Sequence, residues 1–434
     1  MPKTSSNPKR TFVGFGFGAI QTGLFLYEAF RSGNFDRYVV AEVLPDVVAS
    51  IRQAEGRFSI NIAHADRIEA ALVGPIEIEN PLVEADRRRL IDAIAAAEEI
   101  ATAIPSVRYY ASDDPGSLHR ILALGLREKA RRGGPRAVVY AAENHNHAAE
   151  LLEKAVFAEI PAGEQQAVRE QVRFLNTVIG KMSGVKTDPA EIAALRLAPM
   201  TPDLPRAFLV EAFNRILISK IDFAPRPGAS PYRRGIEAFV EKEDLLPFEE
   251  AKLYGHNAVH ALAAYLGAQQ GVELIAELRQ KPEMMAFLRA AFIEESGRAL
   301  VRKYAGVDPL FTPEGFRAYA DDLLVRMTNP FLGDTVERVG RDPGRKLGWN
   351  DRLVGTMRLV MRQGVEPKRF ALGAAAALAV LDAASLRTTE HARTVLDSIW
   401  SPSSPDPKEM ELVWEKIQAS LKTLSVNPLA ISSS

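Results

Sequence analysis

The chain has 434 residues, with 54 Lys and Arg against 55 Asp and Glu, a formal net charge of -1 and no cysteine. A hydrophobic share of 47% and a charged share of 25% belong to a globular protein long enough for more than one core, not to a disordered chain. The missing cysteine excludes disulfides, thiolate nucleophiles, iron–sulfur clusters and thiolate-held zinc, and the balanced charge leaves no basic footprint for nucleic acid or an anionic membrane.

Residues 1–10 are polar and basic, like the start of a signal peptide. The uncharged stretch that follows, Phe12 to Tyr27, carries four glycines and no small-residue cleavage site, so it reads as strand, turn and helix. Up to about residue 220, short β-branched runs alternate with helical segments. Phe12–Phe15, Tyr38–Glu42, Ile76–Glu79 and Ala137–Ala141 read as strands, which predicts a parallel sheet with crossover helices. Pro225 to Pro231 is a proline-glycine loop suited to a transition, and from about residue 245 the helical period dominates with no convincing strand. The expected organisation is an α/β domain over 1–240 and a mostly α-helical domain over 241–434. The longest apolar run, Phe370 to Leu381, falls well short of the roughly 20 residues that span a bilayer, so the expected location is cytoplasmic. Ser401 to Asp406 breaks the helical pattern before an amphipathic helix near Lys408–Leu421 and a Ser-rich tail; no fixed-period repeat is present.

The first strand runs into Gly14-Phe-Gly16-Phe-Gly18-Ala19-Ile20-Gln21-Thr-Gly23. Glycines there permit a tight turn against a pyrophosphate, and the helix that follows aims its first amides at the negative charge. The third glycine of the usual G-x-G-x-x-G spacing is replaced by Gln21. Glu42, at the end of the second strand, lies about 26 residues beyond Gly16, where a carboxylate accepts hydrogen bonds from a ribose and repels a 2′-phosphate. A Rossmann-like, NAD-binding N-terminal domain is the expectation, with Gly16, Gly18, Ala19, Ile20 and Glu42 at the cofactor. A tight strand–helix turn that binds nothing is the alternative.

Lys252-Leu-Tyr-Gly-His-Asn257-Ala-Val-His260 opens an Ala-rich helical run. Asn257 and His260 fall on neighbouring sides of one helix, but Lys252 lies about 12 Å from His260 along a straight axis. The lysine must therefore reach forward or precede a distortion at Gly255. A lysine of lowered pKa suits a general base for an alcohol, and an asparagine amide suits an alkoxide. By themselves these residues read more readily as a surface lysine, a helix asparagine and a core histidine.

The spacing Lys-x4-Asn-x2-His resembles the signature of the polyol-specific long-chain dehydrogenases, the mannitol dehydrogenase family. Tyr265-Leu-Gly267, Glu294-Glu-Ser-Gly297, Asn329 to Leu347 and Asp351-Arg-Leu353 resemble its mannitol-1-phosphate 5-dehydrogenase branch. The resemblance implies an NAD-dependent oxidoreductase that interconverts a polyol, here mannitol 1-phosphate, and a ketose, fructose 6-phosphate. It casts Lys252 as general base, Asn257 as holder of the alkoxide and His260 as the group that orients the polyol. It also places Glu143 and Asn144 near the nicotinamide, Asn176 at substrate or nicotinamide, and implies a monomer. Around the fourth strand, residues 103–110 stand where a Gly-Pro turn would be expected, and 111–117 reads as an insertion.

Arg338, Arg341, Arg345, Lys346 and Arg352 gather five cations in 15 residues, against Asp342 and Asp351. Arginine forks match phosphate geometry, while a solvated face or internal ion pairs would use the same residues. The resemblance favours Arg338 and Lys346 at the substrate. Glu143, His145 and His147 could be read as metal ligands, but alternate residues share a side only in a strand, so no metal is expected. Dehydrogenation of an unphosphorylated polyol or sugar acid, a catalytically silent nucleotide-binding protein and a metal-dependent lyase remain the competing readings.

Overall fold

In the computed structural model, residues 10–225, 228 and 231–426 are described. The basic start, most of the proline-glycine loop and the Ser-rich end lie outside them. The described chain divides into two compact units, one running to Leu245 and the other beginning at Leu246.

Among the described residues of the first unit twelve strands form two sheets: β1 (Thr11–Phe15), β2 (Arg37–Ala41), β3 (Phe58–Ala63), β4 (Ile68–Val73), β5 (Glu77–Glu79), β6 (Glu99–Thr102), β7 (Ala137–Ala141), β8 (Val172–Val178), β9 (Ser183–Lys186), β10 (Ala207–Glu211), β11 (Ile216–Ser219) and β12 (Phe239–Lys242). The larger sheet has the order β12-β11-β8-β7-β6-β1-β2-β5, in which the six strands from β8 to β5 are parallel. β1 and β7 are apolar on both faces and fully buried, as strands covered by helices on both sides must be. Those six strands follow the doubly wound order, whose switch point lies between β1 and β6. Gly16 leaves β1 there with φ +85°, and a Cβ at Gly16 would lie 2.8 Å from the Ala103 carbonyl oxygen just after β6. Only glycine combines that dihedral with that approach.

A second sheet, β4-β3-β10-β9, is not visible as such in the sequence pattern. β3 and β10 are separated by more than 140 residues yet pair in parallel, with Phe208 opposite Ile60 and Val210 opposite Ile62. Phe17, Phe58 and Phe208 pack edge to face, tying this sheet to the glycine turn. The first unit extends past residue 240 because β12 closes the larger sheet by pairing with β11, Phe239 opposite Ile216.

The second unit is helical; among the described residues its β structure is a single bridge, Leu274 to Thr335. Helix Asn257–Gln269 is buried almost all round, and so is Lys368–Leu381, which contains the long apolar run. The two pack closely: a Cβ at Gly373 would overlap the Leu262 side chain. The apolar run is thus a core helix, and no described helix is long and apolar enough to cross a membrane. The amphipathic helix after the serine-proline break spans Pro407–Val426.

Candidate active site

In the first unit, the turn after β1 is fixed from below and from the side. Glu42 is buried and its carboxylate accepts three backbone N–H groups, from Phe17 (2.8 Å), Val43 (2.7 Å) and Leu44 (2.9 Å). It therefore locks the glycine turn to the end of β2. Gly18 has open space where a Cβ would stand, and the helix that begins at Ala19 has first-turn amides with no intrahelical acceptor. That combination of an open glycine and orphan amides fits a dinucleotide pyrophosphate. Val43 and Leu44 after β2, and Leu82 and Val83 after the neighbouring β5, are exposed apolar side chains. They are the kind of surface that suits an adenine face, and sequence reasoning passed over them.

Gln21 explains its own departure from the glycine pattern. Its side chain is fully buried and lies against Gly14, so the missing helix-side glycine is matched by one on the strand. Its amide nitrogen and oxygen have no hydrogen-bond partner among the described residues. The residues from Gln21 to Leu26 form a wide π turn, and Gly23 packs onto Val210 of β10.

Glu143 is buried, with burial raising its pKa, and its carboxylate is engaged by the protein. It accepts from the Thr102 hydroxyl (3.0 Å), the Ile104 amide (3.0 Å) and the Tyr110 hydroxyl. Tyr110 comes from the stretch that replaces the expected Gly-Pro turn. Asn144, His145 and His147 are exposed, and no group of three potential metal ligands exists among the described residues. Asn176, on β8, accepts from the Ala149 amide and donates to Glu150 (2.8 Å each), so it caps helix Ala148–Ala158 from a neighbouring strand.

In the second unit, the distortion at Gly255 is real. Residues Ala251–His256 form a π turn in which the Asn257 amide donates to the Lys252 carbonyl, five residues back. In a straight α-helix two residues five apart point roughly 140° apart around the axis. The wider turn brings Lys252 and Asn257 toward one side. A second π turn, Ala291–Gly297, supports the first: a Cβ at Gly255 would lie 2.8 Å from the Phe292 ring, itself edge-on to Phe316.

Burial pushes the Lys252 ammonium down to about 8, assisted by the charge of Arg352 and opposed by Glu249. His260 is pushed down to about 4, chiefly by burial; Asp334 opposes this, and Arg338, Arg352 and Lys346 add to it. His256 is likewise held neutral by burial. At neutral pH both imidazoles are therefore uncharged. The charge of Arg352 acts on both Lys252 and His260, and those of Arg338 and Lys346 act on His260, so part of the cationic stretch lies near these residues. Lys346 is buried, is lowered to about 8 by the same causes, donates to the Arg341 carbonyl, and lies 5.9 Å from the Tyr265 ring centre. Arg338 pairs with Asp334, whereas Arg345 is tied to Asp342 (2.8 Å) and Asp351 (3.2 Å). Arg352 pairs with Asp351 at 2.9 Å. Asp334, which faces both His260 and Arg338, was not singled out in the sequence. Its signals were its place within the stretch Asn329 to Leu347 and its position four residues before Arg338, an ordinary helical ion-pair spacing.

Two family descriptions match this chain: the mannitol dehydrogenase Rossmann domain over residues 10–227 and the mannitol dehydrogenase C-terminal domain over 244–410. The chain belongs to the mannitol dehydrogenase family. A mannitol-1-phosphate 5-dehydrogenase of Bacillus licheniformis is 31% identical over 366 residues, covering 84% of this chain and 86% of that relative. One from Bacillus pumilus is 30% identical over 369 residues, with the same coverage. Among solved structures, a Pseudomonas fluorescens mannitol 2-dehydrogenase, in a ternary complex with NAD and D-mannitol, superposes with a TM-score of 0.68. It is 17% identical and covers 98% of this chain and 94% of its own. A D-sorbitol dehydrogenase superposes at 0.75, with 15% identity and coverage of 98% and 95%. Membership makes the protein an oxidoreductase built on a Rossmann nucleotide domain. At those identities the solved structures speak for the shared fold.

Proposed function

We propose that this NAD-dependent member of the mannitol dehydrogenase family oxidises mannitol 1-phosphate to fructose 6-phosphate, with Lys252 as general base. NAD, when bound, accepts the hydride from the carbinol carbon. The Lys252 amine takes the hydroxyl proton, so the alcohol loses one hydride and one proton and becomes a ketone. Asn257, turned to the same side by the π turn, donates its amide N–H to the developing alkoxide. Neutral His260 binds a substrate hydroxyl. Gly16, Gly18, Ala19 and Ile20 hold the pyrophosphate, and Glu42 at the end of β2 disfavours a 2′-phosphate, in keeping with NAD. Glu143 and Asn144, at the end of β7, belong to the nicotinamide side, and Asn176 joins them through the helix it caps.

The observation that carries the reading is a lysine lowered to about 8 within a π turn whose closing backbone bond runs from the Asn257 amide to the Lys252 carbonyl. An amine poised near neutral pH is matched to proton abstraction from an alcohol. The phosphate assignment leans on the named Bacillus relatives and on the concentration of Arg338, Arg341 and Lys346. A second reading, an unphosphorylated polyol or a hexonate, is favoured by one observation. Arg338 already has Asp334, and Lys346 already has a backbone carbonyl. Arg341 is exposed and makes no ion pair among the described residues, which leaves it open to a phosphate.

Initial rates of NAD reduction with mannitol 1-phosphate, mannitol and hexonates decide between them. A kcat/KM for mannitol 1-phosphate at least about 100-fold above mannitol is expected, the worth of a good charge-assisted contact pair. Equal or better rates on free mannitol would overturn the phosphate assignment.

A further inference from the structure

His260 Nε2 and Asp334 Oδ2 lie 3.9 Å apart, and neither has a hydrogen-bond partner among the described residues, although both atoms are shielded from solvent. Buried polar atoms are ordinarily satisfied, so a facing pair left open calls for a third group. The separation is too long for a direct hydrogen bond. It does suit one oxygen placed about 2.8 Å from each, with an angle of roughly 90° at that oxygen. A hydroxyl meets the requirement because it donates once and accepts from a second direction.

The rest of Asp334 is already fixed. Its other oxygen is taken by Arg338 one helical turn on, and its backbone carbonyl accepts from the Ile275 amide at 2.9 Å. The carboxylate is therefore held in place with one face unspent. His260 is one turn into helix Asn257–Gln269, on the element that also presents Asn257. Its ring is uncharged at neutral pH, so with the proton on Nε2 it donates without adding a charge.

We infer that Asp334 is a specificity-determining residue of the polyol site: its Oδ2 accepts from, and His260 Nε2 donates to, one and the same hydroxyl of the substrate. The inference rests on the polyol-dehydrogenase reading, but not on the phosphate. A substrate lacking that hydroxyl leaves a buried carboxylate oxygen and an imidazole nitrogen unpaired, which a site of this kind rejects more strongly than it would a lost apolar contact. The same clasp penalises a keto or methoxy group at that position, since neither donates to a carboxylate.

The test measures binding by calorimetry to the full chain saturated with NADH. Probes are mannitol 1-phosphate, mannitol, and mono-deoxy analogues of the tighter of the two at each hydroxyl other than the reacting one. In the native protein one deoxy analogue is expected to bind about 10- to 100-fold more weakly than its parent. In Asp334→Asn and in His260→Ala that particular preference should shrink to about threefold or less. Weak binding of the parent alone would also follow from distortion, so the ratio of parent to deoxy analogue is the readout, with far-ultraviolet circular dichroism and NADH affinity to show that each variant folds. If Asp334→Asn keeps the full discrimination at every position, the inference is overturned. It is equally overturned if no native discrimination exists, or if neither parent binds. Comparable native affinities for mannitol and mannitol 1-phosphate would remove the phosphate assignment and leave the Asp334 result standing.

Discussion

Both units present groups suited to a ligand, but they prepare them differently. Around the glycine turn of the first unit, the polar side chains other than Gln21 are spent on the protein: Glu42 on three amides, Glu143 on Thr102, Ile104 and Tyr110, Asn176 on a helix start. What is left for a ligand is backbone, shape and an open glycine. In the second unit the groups are left unsettled. Lys252 is lowered toward neutrality, His260 is stripped of charge, and a histidine nitrogen and a carboxylate oxygen face one another unpaired. A nucleotide recognised mainly through a pyrophosphate needs rigid donors, whereas proton transfer needs a group whose protonation is close to balance. Substitutions in the two regions should therefore fail in different ways: loss of chemistry in the second unit, loss of stability in the first.

The largest effect belongs to Lys252. Replacing it with Ala should lower kcat for polyol oxidation by about 100- to 10,000-fold, the usual worth of a positioned base, while NADH titration stays within about twofold of native. The native pH profile carries the same signature. Only the neutral amine accepts a proton, so kcat/KM for oxidation should rise with pH and level off above about 8, while ketone reduction should decline over the same range. A Lys252→Ala enzyme with native turnover, or a flat native profile between pH 6 and 9, would remove this residue as the base and with it the contrast between the units.

Glu143→Ala is the corresponding experiment in the first unit. The substitution strands a tyrosine hydroxyl, a threonine hydroxyl and a backbone amide in a buried setting, at a cost of about 2–4 kcal/mol. Thermal unfolding should show the first unit melting several degrees lower, with KM for the polyol nearly unchanged. A variant that melts like the native protein but needs far more NAD would move Glu143 from scaffold to cofactor contact and blur the distinction.

How far the sequence announced all this differs along the chain. Short apolar runs closed by glycine or acid were enough for β1, β2 and β7, because strands buried on both faces advertise themselves as continuous hydrophobic stretches, whereas β5, Glu-Ile-Glu at the sheet edge, carries a single apolar residue. The second sheet was not legible: β3 finds β10 across a separation that no local pattern encodes. Lys252, Asn257 and His260 were readable as a spacing, which left either a forward-reaching lysine or a distortion near Gly255. The distortion is a π turn in which the Phe292 ring, about 40 residues later, leaves no room for a side chain at Gly255, a contact no local pattern encodes. Asp334 was invisible for the same reason. Its spacing to Arg338 looks like any surface pair until the fold sets its other oxygen against His260.

The smallest effect should come from Gln21, and its sign makes it useful. A fully buried amide with neither its nitrogen nor its oxygen hydrogen-bonded is a local defect in the glycine turn. Methionine has nearly the same length and volume, needs no partner, and bends around a neighbour such as Gly14 without a polar penalty. Gln21→Met should therefore stabilise the protein by about 1 kcal/mol, raising the first unit's melting temperature by roughly 2–4 °C. NADH affinity should be unaltered, since the side chain lies against β1 rather than at the open glycine. Destabilisation by the same substitution, measured by calorimetric unfolding, would mean that the amide does serve the turn, and that the first unit keeps an unspent polar group of its own.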